Sequence, residues 1–456
     1  MSPGTPASGT AAPAAAAARH VDWSPTAVYA LAFLTLISVF NYLDRSILGL
    51  ALPLIKSEMQ VSDTALGLVS GLAFVLCYSL LGIPLAWLAD RYSRRNIIAA
   101  GFAFWSLMTI VTGVVHGIWQ LAVTRFLMGA GEACGIAPSN SMISDLFRRA
   151  RRPLAMALFG LANAIAFIAL FPVAGWIAEH HGWRAMYLAA GLPGLLLALL
   201  FRATVREPAR GAMEERPPLP ARPAFWVSLR ELLRSRTYVY LLVGATFMGA
   251  NAFAAGAWTP TFLQRVHGMG LATIASTVGP VRGVLGGVGV LAGGLLIDRL
   301  SNRHAIWRVR LPAISCVLVG PAELMFLLGE QRGTWLTGFA LASLLTLMHQ
   351  APVFAAAVNV ARIGVRALAI ALLLTAAGLL GQVAGPAIVG MLNDHLAAEF
   401  GAVAIRYSLL IVAVTPIIGG IALWRAAAHY VADSDRAVAA AEQIGTPAPA
   451  DEAAGA

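Results

Sequence analysis

Twelve apolar stretches, each long enough to cross a bilayer, dominate the 456-residue chain. They run over about 28–54, 64–89, 96–115, 119–146, 154–178 and 184–203, then over about 238–263, 271–297, 309–328, 334–360, 367–392 and 404–426. At about 1.5 Å of rise per residue, a helix of roughly 20 residues crosses a hydrocarbon core of about 30 Å. In hydrocarbon every backbone N–H and C=O must be paired inside the protein, so only helices and closed barrels span. Apolar runs of this length predict helices. The composition excludes a soluble fold: 59% of the residues are hydrophobic and only 12% charged, against about 25% charged in an average soluble domain.

The two sets of six are separated by a polar stretch containing Pro208, Pro217, Pro218, Pro220 and Pro223, within which Phe225 to Leu233 suits a short helix lying on the membrane surface. The expected organisation is a disordered tail over 1–25, a six-helix bundle over 26–203, a cytoplasmic linker over 204–236, a second bundle over 237–428 and a disordered tail over 429–456. The net charge of +10 forms no continuous stripe and argues against a nucleic-acid partner. It reads as topology instead. With the N-terminus inside, 24 of the 32 Lys and Arg residues fall on the cytoplasmic side, 5 on the far side and 3 within spans, which predicts cytoplasmic termini. Cys77, Cys134 and Cys316 all lie in apolar runs, with no spacing for a disulfide framework or a zinc site.

The halves repeat one another. Ala86-x-Leu88-x-Asp90-Arg91-x-Ser93-x-Arg95 recurs as Gly294-x-Leu296-x-Asp298-Arg299-x-Ser301-x-Arg303, 208 residues later. Arg148-x-x-x-Arg152-x-Leu154-Ala155-x-Ala157 recurs as Arg362-x-x-x-Arg366-x-Leu368-Ala369-x-Ala371 at an offset of 214, and Pro172 falls on Pro386 at the same offset. The fold class expected is an all-α membrane protein: twelve transmembrane helices in two pseudo-symmetric six-helix bundles. Parallel repeats of this kind place a substrate site between the halves near the midplane.

This organisation, with the Asp-Arg-x-x-x-Arg loop after helix 2 and its partner after helix 8, resembles the major facilitator superfamily over about residues 25–430. Asn41-Tyr42-Leu43-Asp44-Arg45, Arg125-Phe126-Leu127-Met128-Gly129-Ala130-Gly131-Glu132-Ala133 and Asp145-Leu146-Phe147 resemble its Spinster-like branch. The chain departs from the loop consensus at Ala86, Ser93 and Ser301, all small residues where glycine is usual. The resemblance implies the major facilitator fold and a secondary transporter in a bacterial inner membrane, not an enzyme. It also implies a lysophospholipid or sphingosine-1-phosphate-like amphipathic anion as substrate, with membrane lipids and protons as its other partners. Proton symporters of small organic anions carry similar strings and are the alternative. A monomer without a cofactor is expected, driven by the proton gradient.

Charges within spans add chemistry to that frame, because an ionisable residue at mid-membrane costs about 2.5–3.5 kcal/mol and needs a partner or a task. Asp44 and Arg45 lie about 24 Å along the first helix. Arg125 and Glu132 are seven residues apart and share a face of the fourth. Asp44, Arg45, Glu132 and Arg125 are therefore candidates for proton coupling; the competing reading is a fixed salt-bridge cluster joining two helices. Asn41, Tyr42, Arg282, Glu323 and His349 are candidates for the substrate cavity, with Arg282 suited to a phosphate or carboxylate. Asp90, Arg91, Arg94 and Arg95, with Asp298, Arg299 and Arg303, are expected to form an inner gate. Gly385-Pro386 and Phe171-Pro172 are candidate hinges. Glu179-His180-His181 lacks the spacing of a metal site, and no metal is expected. The chain has no Gly-x-x-x-x-Gly-Lys loop for a nucleotide, no clustered nucleophile or His-Glu-x-x-His site for an intramembrane enzyme, and no repeated ring of charge for a channel.

Overall fold

The computed structural model describes residues 23–148, 150–210, 213, 225–362 and 365–445. Nearly all of the tail expected over 1–25 lies outside these residues, as do Pro217, Pro218, Pro220 and Pro223 of the linker. Among the described residues, nine helical stretches are long and apolar enough to cross a membrane. Two of them, Arg152–Thr204 and Leu368–Ala426, each fold back on themselves. The turns fall at Gly182, with φ of +82°, and at Gly401, with φ of +56°, a region that side-chain-bearing residues avoid. Each long stretch therefore supplies two spans.

Span 1 is Pro25–Met59, span 2 runs from Asp63–Leu68 through Val69–Ala73 to Phe74–Arg91, and span 3 is Arg94–Thr112. Span 4 is broken at 133–135 into Ile118–Glu132 and Ile136–Leu146, pieces too short to register as one apolar crossing. Spans 5 and 6 occupy 152–181 and 183–204. Span 7 is Arg236–His267, span 8 Leu271–Ser301, span 9 Trp307–Leu328, and span 10 Arg332–Met348 with Gln350–Val360. Spans 11 and 12 occupy 366–400 and 404–426. The face at which the described residues begin and end is called the inner face.

Serine caps set the starts. The side chains of Ser24, Ser62, Ser93 and Ser235 accept hydrogen bonds at 3.1 to 3.2 Å from backbone N–H groups three residues on, satisfying donors that a helix N-terminus leaves open. Two π-helical turns, Ala166–Leu170 and Ala376–Gly381, lie at matching places in spans 5 and 11. The first directly precedes Phe171-Pro172 and three residues separate the second from Gly385-Pro386, so the backbone is locally rewound close to both candidate hinges.

The buried apolar residues fall into three large groups, and their membership shows how the halves meet. One spans both halves on the outer side, joining Ile47, Leu50, Tyr187 and Trp183 to Trp258, Phe262, Ile274 and Trp335. The other two lie on the inner side, and each belongs to one half: Phe33, Phe102, Trp105 and Phe147 in the first, Tyr238, Val309, Val353 and Tyr430 in the second. Among the described residues the large shared core lies toward the outside, and farther in Leu379 and Val383 of span 11 pack against the first-half group. Glycines permit that closeness. A Cβ on Gly49 would come 2.8 Å from the Gly256 carbonyl oxygen, and those on Gly67 and Gly71 would strike the carbonyls of Pro386 and Gln382.

The surface helix is present as Phe225–Arg234, with Leu232 buried and Trp226 75% exposed. Glu231 ties it to the second half by a bidentate pair with Arg362. The C-terminal tail expected to be disordered from 429 contains instead a helix, Tyr430–Gly445. Its composition is polar and alanine-rich, which hid its anchors: Tyr430 is fully buried, and Asp433 Oδ2 accepts from Ser235 Oγ at 2.8 Å and Thr237 N at 2.9 Å. Burial raises the pKa of Asp433, but the Thr237 and Ser235 hydrogen bonds outweigh it and hold the carboxyl below its usual value. A depressed carboxylate stabilises above its unfolded pKa and ceases to as pH falls through the folded one. Asp433→Ala is expected to cost about 1 kcal/mol, as loss of a helix cap does, and acid should begin to have the same effect on wild type below the ordinary aspartate pKa of about 4, completing it only below the depressed folded value. Limited proteolysis at the tail helix, followed against pH, checks both; equal protection of variant and wild type at neutral pH would refute the anchor.

Candidate transport site

In the first half the structure gathers the four candidate coupling residues. Glu132, wholly buried, ends the outer piece of span 4. Its Oε2 accepts from Arg45 Nε at 2.6 Å and from Asn41 Nδ2 at 2.9 Å, both on span 1. The Arg45 guanidinium also lies over the rings of Phe74 and Tyr78, at 4.8 and 5.0 Å, so span 2 closes the cation's other side. Tyr42, half-buried, lies within electrostatic reach of Arg45. Arg125, two turns earlier on the same helix, is bound differently. Its Nη2 donates to Tyr187 Oη and its Nη1 to the Asp44 carbonyl at 3.3 Å.

The fixed-cluster reading requires one carboxylate for each arginine, and that arrangement is absent. Glu132 pairs with Arg45, whereas the Asp44 carboxylate, 98% buried, has no cation within ion-pair distance among the described residues. It faces Glu132, Arg125, Thr109 and Trp105. Six buried polar atoms here have no hydrogen-bond partner among the described residues: Asn41 Oδ1, Asp44 Oδ1 and Glu132 Oε1 as acceptors, Arg45 Nη2, Trp105 Nε1 and Arg125 Nε as donors. Buried polar groups left open in this way are costly unless water or a rearrangement supplies partners.

The second half is sparser. Arg282 on span 8 is half-buried, lies 5.7 Å from the Phe167 ring of span 5, and makes no ion pair among the described residues. Glu323 on span 9 is within electrostatic reach of it and of Asn251, but beyond the 4 Å of an ion pair. Asn251 donates to the Val412 carbonyl at 2.7 Å. His349 stands at the break in span 10 with Nδ1 2.6 Å from the Thr346 carbonyl oxygen, which satisfies it within its own helix. Between spans 2, 7, 11 and 12 lies an apolar cavity of about 520 Å³. Its lining includes Leu76 and Leu380, 41% and 54% exposed.

The inner-gate candidates do not meet across the halves. Arg94 bonds Asp145 and Glu207 in its own half at 2.5 and 3.0 Å, Arg95 N donates to Glu207 at 2.7 Å, and Arg91 stacks on Trp87. Asp298, Arg299 and Arg303 form no ion pair among the described residues, and the Asp90 side chain lies outside them. Glu207, on the linker, is raised by burial, but the bonds from Arg95 N–H, Arg94 and Ser93 prevail and hold it below the usual glutamate range.

The contacts that do join the halves are at the outer face, and the sequence reading missed them. Asp63, fully buried at the start of span 2, accepts from Lys56 at 2.8 Å, from both Arg265 Nη atoms at 2.8 and 3.1 Å, and from Asn393. Asp394 on span 11 caps span 2 in return, accepting from Asp63 N at 3.0 Å and Thr64 N at 2.7 Å. Glu179 accepts from Ala272 N at 2.6 Å. Lys56, Asp63 and Arg265 sit at span ends, where charges are ordinary, so nothing in the sequence set them apart.

Two six-helix halves, tied at one face and separate at the other around buried ionisable groups, define a membrane transporter rather than an enzyme. The chain belongs to the Major Facilitator Superfamily, whose family description matches residues 34–386. Within it the similarity extends to the Spinster-like branch. The chain is 30% identical over 442 residues to the human protein spinster homolog 1, covering 89% of this chain and 82% of that protein. It is 30% identical over 413 residues to an MFS-type efflux pump of Mycolicibacterium smegmatis, covering 89% and 93%. The solved structure of a bacterial homolog of the human lysosomal transporter Spinster, inward-facing and unoccupied, matches with a TM-score of 0.79 at 24% identity, over 90% of this chain and 99% of that one.

Proposed function

We propose that the protein is a proton-coupled transporter that moves an amphipathic anionic lipid, of lysophospholipid or sphingosine-1-phosphate type, across a bacterial inner membrane by alternating access. The observation that carries this reading is the division of buried charge: Asp44, Glu132, Arg45 and Asn41 in one half, and in the other an Arg282 without an ion pair among the described residues. A proton on Glu132 weakens its hold on Arg45 and frees span 1 to shift against span 4. Arg282 takes the anionic head, with Asn41, Tyr42 and Glu323 lining the space between the halves. The apolar cavity beside spans 2 and 11 suits an acyl chain and favours a lipid over a small organic anion. In the inward-closed state Asp90, Arg91, Arg94 and Arg95 meet Asp298, Arg299 and Arg303, replacing the bonds to Glu207. The protein acts as a monomer without a cofactor, its termini in the cytoplasm.

The test is flux in liposomes of wild-type protein under an imposed pH gradient, with a labelled lysophospholipid and, in parallel, a labelled dicarboxylate. Gradient-dependent lipid movement is expected. Movement of the dicarboxylate alone would establish the small-anion symporter in its place.

A further inference from the structure

On the inner side of Glu132, spans 1, 3, 4 and 5 leave a pocket of about 10 Å³ bounded by Ser38, Asn41, Trp105, Gly135, Ser139 and Phe159. Gly135 makes the space, since a Cβ there would stand 3.2 Å from the Glu132 carbonyl oxygen and 3.8 Å from the Trp105 ring. The volume is small but at the threshold for one water, which needs about 10–15 Å³ and two to four polar partners. Those partners are present. Asn41 Oδ1 is an open acceptor, and the Ser38 and Ser139 side chains, 6% and 2% exposed, line the same space.

The pocket also touches the coupling cluster. Asn41 lines it and bonds Glu132 through its Nδ2, leaving its Oδ1 open. Trp105 faces Asp44. Around this pair stand Arg45 and Arg125, with Thr109 beside Asp44.

We propose that this pocket holds an ordered water and is the route by which protons pass between the inner face and the Asp44–Glu132 pair; it rests on the proton-coupled reading above. A proton from inner-side solvent adds to the pocket water. That water gives up a different proton past Asn41 to the open Glu132 Oε1 and returns to neutral, and release is the same transfer reversed.

The test separates water from transport. X-ray radiolysis of the reconstituted full chain in ¹⁸O-water oxidises side chains that touch ordered water. Trp105 should label at least tenfold faster than Trp258, which is equally buried, and equal labelling would overturn the proposal. Ser139→Val fills the pocket, so it should remove the Trp105 label and slow carboxyl protonation after a pH jump, followed by infrared spectroscopy, about tenfold. Ser139→Ala, a milder change, should give an intermediate slowing if the valine variant fails to fold. A labelled Trp105 with protonation rates unchanged in either variant overturns the route. Transport indifferent to the gradient in wild type would instead sink the proton-coupled reading, whatever Trp105 shows.

Discussion

Glu132→Gln is expected to lower gradient-driven accumulation at least about 100-fold while leaving the protein folded. The substitution preserves shape and removes one charge. Oε2 of Glu132 now accepts from both Arg45 Nε and Asn41 Nδ2, and a glutamine oxygen can still face them. What it cannot do is cycle, because an amide neither gains nor loses a proton in the working range. Arg45 also loses its anion. Hydrogen bonds to a charged group contribute about 1.5–3 kcal/mol each, and about 1.4 kcal/mol is tenfold in an equilibrium. The variant should therefore resemble a transporter held at one protonation state: exchange of substrate down its own gradient survives, and uphill movement does not. Retention of full gradient-driven transport would reduce Glu132 to a structural charge.

Asp63→Asn is expected to open the outer face. Asp63 is the shared acceptor for Lys56, Arg265 and Asn393, and the amide leaves two cations side by side. Asp394 cannot substitute, being 4.0 Å from Lys56 and already engaged at the start of span 2. Losing two charge-assisted contacts amounts to about 3 kcal/mol, or a shift of roughly 100-fold toward the outward-open state. The measurement is thiol labelling from outside at Ala257→Cys, placed where spans 1 and 7 touch. Cys77, Cys134 and Cys316 are buried and contribute little background. Equal labelling rates with and without the Asp63→Asn substitution would show that the apolar core, not this latch, holds the face closed.

The crossing helices were legible because hydrocarbon makes its demand through composition alone. Asp44, Arg45, Arg125 and Glu132 were legible for the related reason that a charge at mid-span is anomalous wherever it occurs. Which carboxylate pairs with which arginine was not: helical spacing places Arg125 and Glu132 on one face, yet Tyr187 of span 6 claims Arg125, and periodicity cannot foresee a third helix. His349 illustrates the converse, a polar residue at the right depth satisfied by its own backbone. The outer latch and the tail helix escaped for a shared reason. Their residues lie where polar groups are common, and only the contact with a distant segment, Asp63 with Arg265 or Asp433 with Ser235, gives them meaning.

The seam between spans 2 and 11 has the character of a bearing. Gly67 and Gly71, one helical turn apart, lie bare against the backbone at Pro386 and Gln382, and Gly390 lies bare against Asp63. Surfaces that meet backbone on backbone carry no interlocking side chains, so one can roll over the other without first unpacking rotamers. In the alternating access proposed above, the charged latch would supply the detent and the glycines the race. A single methyl at Gly67 or Gly71 would jam that motion, far from any charged group and with every ion pair still in place.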